Sequence, residues 1–236
     1  MIDPRELWDF DDASASGERF LDAAEGASEP DRTSWLTQYA RALGLLERYD
    51  EATKVLDRLH AGAPEAATYL ALERGRVLHS SGRAEESRPH FESAVAVAQG
   101  AGLEALEVDA RHMVALAAPP EEQLALNEAA LAVARAATDP RARDWDASLL
   151  NNIGMTYAGA GDFEAALTAF ERALAARERI GDPGGIRVAQ WMIGWTYRNL
   201  GRRDEARAIQ LALKRELDAG GHGDEYVDEE LALLAD

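Results

Sequence analysis

One spacing recurs along this chain at intervals of about forty residues, and it constrains the fold more than any other feature. It is clearest around Leu150–Leu174. Leu150, Ile153 and Tyr157 stand three and four apart, which places them on one face of a helix. Gly154 has no side chain, so a second helix can approach closely there. Gly159-Ala160-Gly161-Asp162 breaks the helix, and Asp162 is positioned to cap the next one. Ala166, Phe170, Ala173 and Leu174 then form a facing stripe. The stretch predicts two antiparallel helices joined as a hairpin.

The same spacing returns elsewhere. Downstream, Ile193-Gly194, Tyr197, Gly201 and Ala206 repeat it, with Gln210 where Phe170 stood. Upstream, Gly75, Leu78, Gly82, Phe91 and Ala94 match it. Tyr49-Asp50-Glu51-Ala52, Leu56 and Leu59 match its second half. A degenerate copy runs from Val108 to Leu116 and from Gln123 to Ala137. One hairpin cannot bury its own apolar stripe, so a row of them buries each stripe against its neighbours. An array is therefore expected in place of a single central core.

The breaks set the boundaries. Five hairpins are expected at about 31–60, 65–99, 103–137, 143–180 and 186–218. Residues 1–30 are expected to be an arm and a covering helix near Ser14–Ala24, with Phe20, Leu21 and Ala24 inward. The arm reads as extended, and its Trp8 and Phe10 pack on the first helix or enter the groove of the array. Pro89 predicts a late start or a kink in its helix. Pro119-Pro120 marks a turn. After the Gly220-Gly221-His222-Gly223 joint, residues 224–236 should form a closing helix with Tyr226, Val227, Leu231 and Leu234 on one face.

The Leu150–Leu174 pattern resembles the tetratricopeptide repeat, whose signature is a large residue, Leu-Gly, Tyr, then Ala-x3-Phe. Here those positions are Leu150, Ile153-Gly154, Tyr157, Ala166 and Phe170. Nearly the whole chain is similar to stand-alone bacterial proteins of this family. The resemblance implies an all-α fold, a right-handed α-solenoid of about five tetratricopeptide-like hairpins with N- and C-terminal covering helices. A period near forty exceeds the usual thirty-four or so, so helices about one turn longer follow.

The resemblance also implies a binding role, because the first helices of successive hairpins line a concave surface in this family. Carried over by position, that surface holds Thr37 and Arg41, then Tyr69, Leu72, Arg76 and His79. Asp109 and Met113 follow, then Asn151 and Met155, then Trp191, Trp195 and Arg198. Arg41, Tyr69, Arg76, His79, Asn151, Trp191, Trp195 and Arg198 are the candidate ligand-binding residues. Arg41 and Arg76 hold equivalent places in adjacent repeats and suit a peptide carboxylate. The competing reading pairs them with the chain's own acids, Glu73 first. Trp191 and Trp195 lie one turn apart and suit a binding anchor. The competing reading covers them with a terminal segment. Chaperone-binding members hold two carboxylates with Lys and Asn. Asn151-Asn152 is present here, but neither lysine is nearby.

Composition narrows the function classes. The chain has 236 residues and no cysteine, which excludes disulfide and thiolate-metal scaffolds. No apolar run is long enough to span a bilayer, and the acidic start lacks a signal region, so a cytoplasmic protein is expected. A net charge of −18 repels phosphate backbones and anionic lipid, so neither nucleic acid nor membrane is an expected partner. The histidines His60, His79, His90, His112 and His222 lack helical metal-ligand spacing, and the glycine clusters lack the Lys-Ser/Thr of a phosphate loop. No nucleophile motif is present. Neither enzyme activity nor a cofactor or metal is expected. The expected function is a scaffold that binds a partner's peptide or helix in its concave groove. The alternatives are a signalling-peptide sensor that changes solenoid pitch, and a self-associating module using Trp8, Phe10 or the last helix to form a homo-oligomer.

Overall fold

The computed structural model describes residues 4–235; the extreme ends of the expected arm (1–3) and closing helix (236) lie outside them. The described residues form helices and connecting turns. After a 3-10 turn at Pro4–Glu6 come α1 (Ala13–Glu25), α2 (Asp31–Leu45), α3 (Tyr49–Leu56), α4 (Pro64–Ser80), α5 (Ala84–Ala101), α6 (Glu104–Leu116) and α7 (Pro120–Ala136). The short α8 (Pro140–Arg143) precedes α9 (Asp146–Gly159), α10 (Phe163–Ile180), α11 (Pro183–Asn199), α12 (Arg203–Ala219) and α13 (Glu225–Leu233). The fold class is all-α, of the helical-repeat solenoid type.

Local chemistry sets the helix ends. The Asp12, Asp162, Asp182 and Asp224 carboxylates accept backbone N–H groups of the first turns of α1, α10, α11 and α13, satisfying donors with no intrahelical partner. Pro64 and Pro183 open α4 and α11, where a missing N–H costs nothing. Pro89 lies inside α5 without delaying its start at Ala84. The N-terminal arm is not extended: Leu7 N–H donates to Pro4 O at 3.1 Å, and Asp12 N–H to Asp9 O at 3.2 Å.

Four hairpin turns share one geometry. The N–H groups of Arg48, Arg83, Asp162 and Arg202 donate to the carbonyls of Leu43, Leu78, Tyr157 and Tyr197, each at 2.9 Å. The residue before each donor is left-handed: Gly82 at φ 84°, Gly161 at 79°, Gly201 at 76°, and Glu47 at 58°. Glycine meets that demand without strain and Glu47 does not. Arg48, Arg83 and Arg202 each pair with a glutamate three residues on, Glu51, Glu86 and Glu205.

The helices divide into two compact units. The first comprises residues up to Glu122 with Ala136–Ala142. The returning strip is tied in by Glu104, whose carboxylate accepts the Thr138 N–H and hydroxyl and the Asp139 N–H at 2.9, 3.0 and 2.6 Å. Its interior is built from Phe20, Ala24 and Trp35 at one end and Leu43, Ala52, Leu56, Leu70 and Val77 beside them. The second unit comprises Gln123–Arg135 and the chain from Arg143 onward. Its core holds Ala158, Ala166, Leu167, Phe170, Met192 and Ile193. Thus α6 belongs to the first unit and most of α7 to the second.

Candidate functional site

In the first unit, α2 and α4 pack together, as do α4 and α6. These are the first helices of the first three hairpins expected from the sequence. Their shared face is polar but withdrawn from water. The Arg76 guanidinium bridges Glu73, one turn back on α4, and Asp109 on α6. Side-chain exposures of 14% for Arg76, 0% for Glu73 and 10% for Asp109 make this a buried three-membered ion cluster. Burial alone would depress the Arg76 pKa, but the two carboxylates hold it above the usual arginine range. Beside them, burial pushes His112 down to about 4 despite Asp109, so its imidazole is neutral at pH 7.

Arg41 differs. It is half-buried on α2, and no ion pair or hydrogen bond of its guanidinium is found among the described residues. Burial and then the nearby Arg76 lower its pKa, with Glu73 and Asp109 partly opposing. Its guanidinium carbon instead lies 5.3 Å from the ring centre of Trp8 and 5.5 Å from that of Phe10. Those rings are stacked on each other at 4.8 Å and 2°. Trp8 is held by Phe20 of α1, 5.0 Å away, and by donating its indole N–H to Gln38 Oε1 at 3.0 Å. Tyr69 and His79 are half-buried on α4. Thr37, Leu72 and Met113, by contrast, are buried. Thr37 turns inward to donate its hydroxyl to the Ser34 carbonyl at 2.6 Å. Being buried, these three positions present no wall to a ligand.

In the second unit, Asn151 is half-buried on α9 and Met155 is 48% exposed. On α11, Trp191 and Trp195 stack at 6.5 Å and 16°, and Phe163 meets Trp195 edge-on at 5.7 Å. The last helix covers part of this face. Tyr226 of α13 lies edge-on to Trp191 at 6.1 Å. Glu230 takes both forks of Arg198, Nε to Oε2 at 2.7 Å and Nη2 to Oε1 at 2.8 Å, and raises its pKa through those hydrogen bonds.

The structure therefore gathers Arg41, Tyr69 and Arg76 on neighbouring first helices, and Trp191, Trp195 and Arg198 on one helix. Asn151 stands on α9, and His79 near the end of α4. Sequence reasoning missed Gln38 and Glu230. Gln38 stands one turn before Arg41, a readable spacing. Glu230 lies thirty-two residues from Arg198, and no local pattern announces it. Among the described residues no group of three His, Asp or Glu side chains could hold a metal ion, and no helix is long and apolar enough to cross a membrane.

A family model described as tetratricopeptide repeat matches residues 121–179 and 145–211. None of the curated proteins matches the sequence. Among solved structures, the chain is similar to BtubC from P. vanneervenii, with a TM-score of 0.60 and 20% identity over 95% of each chain. It is similar to the apo form of the quorum sensor NprR from B. thuringiensis, with a TM-score of 0.65 and 16% identity over 98% of this chain and 66% of that one. A Rap protein complexed with Competence and Sporulation Factor gives 0.65 and 16% over 94% of this chain and 62% of that one. At these identities the likeness is one of fold.

Proposed function

We infer, from its being a tetratricopeptide-repeat protein, that this chain is a non-catalytic interaction scaffold whose first-helix faces receive a peptide or helix of a partner protein. One observation carries the reading: α13, which packs on α12, also lays side chains on the α11 face, through an aromatic contact at Trp191 and a two-pronged ion pair at Arg198. Aromatic anchors and arginine forks are the side chains that dominate binding energy at interfaces. In the first unit, Arg41 and Tyr69 are the residues we assign to contact a partner, with His79 at the margin. Arg76 is a positioning residue, since both of its neighbouring acids claim it. In the second unit, Asn151, Trp195 and Met155 extend the face beyond α13, and Trp191 and Arg198 belong to the part that α13 covers.

Photo-crosslinking tests the reading. A benzoylphenylalanine is placed at Tyr69 or Met155, on first helices, and at Glu92 or Thr168, exposed on second helices. The same polypeptide should be captured from the first pair and not from the second. Equal capture from all four positions would sink the assignment.

The likeness to a quorum sensor and to a Rap protein solved with a signalling factor favours a second reading, a sensor of short signalling peptides that changes pitch on binding. Small-angle scattering with the captured peptide should show compaction. An unchanged radius removes the sensor and leaves the scaffold.

A further inference from the structure

Among the described residues, two donors on α2 lack acceptors. Among the described residues the Arg41 guanidinium makes no ion pair: Glu73 and Asp109, the acids nearest it in charge, each give an oxygen to Arg76, and the second Glu73 oxygen, Oε2, is buried without a hydrogen-bond partner of its own. The Gln38 side chain is 2% exposed, and its Nε2 is buried with no hydrogen-bond partner although its Oε1 accepts from Trp8. The two residues stand one helical turn apart, so their polar ends share one face. A buried donor left unmade is costly; the Gln38 amide is one, and the half-buried Arg41 guanidinium one turn away, beside a second arginine, favours an anionic acceptor at this place. A carboxylate fits, because it accepts both N–H groups of a guanidinium fork and one amide N–H besides.

The same place is covered by the arm. Trp8 and Phe10 lie stacked beside the guanidinium, and Phe10 is 63% exposed. An aromatic face attracts a cation, yet offers it no hydrogen bond. We propose that Arg41 and the Gln38 amide form a carboxylate-binding seat, closed in the free protein by the Trp8–Phe10 stack and opened when a carboxylate-bearing ligand displaces Phe10. The proposal rests on the reading of this face as one that receives a partner.

The test follows the Arg41 Nε–H resonance by NMR, assigned with Arg41→Lys, in the full chain and in Phe10→Ala. Phe10 is exposed, so its removal opens the seat without touching the core. Four probes separate the sources of the carboxylate: capped Ac-Ala-Ala-Glu-Ala-Ala-NH2, its Gln counterpart, acetyl-pentaalanine with a free C-terminus, and succinate. The resonance should move with at least one carboxylate probe and stay still with the Gln peptide, and which probe moves it names the source. Half-saturation should fall about fivefold or more in Phe10→Ala, because the competing closed state is lost. No movement with any carboxylate in the Phe10→Ala protein overturns the seat, as does equal movement with the Gln peptide. If the seat fails while partner capture at Met155 persists, the scaffold reading stands and only this site is lost.

Discussion

The ring of Phe170 occupies the space that a side chain on Gly154 would need: a β-carbon built there would meet Phe170 ring atoms at 2.4, 2.6 and 2.8 Å. Gly75 and Phe91 reproduce the same three distances in the first unit. Two hairpins thus interlock by one mechanism, a ring of the second helix seated on bare backbone of the first. Gly154→Ala and Gly75→Ala should each destabilise the protein by about 1–3 kcal/mol through overpacking. Gly194→Ala should cost less, because its β-carbon meets the tip of the Gln210 amide at 2.8 Å, and the end of a flexible side chain gives way more readily than a seated ring. Urea denaturation of the three variants checks the order.

Arg41 and Arg76 occupy equivalent repeat positions but should respond oppositely to loss of charge. Arg76→Met strands the buried carboxylates of Glu73 and Asp109 and should cost about 3 kcal/mol or more. Arg41→Met strands nothing and should stay within about 1 kcal/mol of the parent. Comparable losses in the two denaturation curves would mean that Arg41 has a carboxylate partner after all.

The turn at Glu47 should be improvable. Its φ of 58° is the left-handed conformation that Gly82, Gly161 and Gly201 supply in the equivalent turns. Glu47→Gly should stabilise the first hairpin by roughly 0.5–1 kcal/mol, the strain relieved exceeding the entropy lost. A rise in Tm is the expected readout.

His112 should make stability depend on pH. Its folded pKa, pushed down by burial to about 4, lies below the ordinary value of 6.5. Between those values the unfolded chain binds the proton and the folded one does not, so stability rises with pH. The contribution is complete above pH 6.5 and disappears as pH falls through 4, and it amounts to at most about 3 kcal/mol. His112→Asn should flatten the stability profile across that window relative to the parent, as followed by denaturation at several pH values.

The last helix should detach when its buried ion pair, Glu230 to Arg198, is cut. Glu230 is 4% exposed and holds Arg198 with both oxygens, while the joint before it is an exposed glycine-rich turn with Gly221 at φ 73°. Glu230→Ala should expose Trp191, red-shift tryptophan emission and open the Gly220–Gly223 joint to proteolysis. Emission and cleavage unchanged from the parent would show that the remaining contacts of α13, Val227 and Leu234 inside, Tyr226 on Trp191 and Asp228 on Lys214, hold it without Glu230.

The sequence by itself determined the hairpin and its repetition. Spacings of three, four and about forty residues are local quantities, and Gly154, Phe170, Asp162 and the turn glycines act within a few residues or across one turn. The candidate faces were legible to the same depth, since Arg41, Tyr69, Arg76, Trp191 and Arg198 all fell on first helices. What those residues do was settled by groups far away in the chain. Asp109 joins Arg76 across thirty-three residues, Glu230 joins Arg198 across thirty-two, and Trp8 reaches Gln38 across thirty. Whether a charge is spent inside the protein or kept for a guest depends on which side chains the stacking brings within hydrogen-bond reach. Periodicity is blind to that, because it fixes the face on which a residue stands and leaves the residue opposite to be decided by tertiary packing.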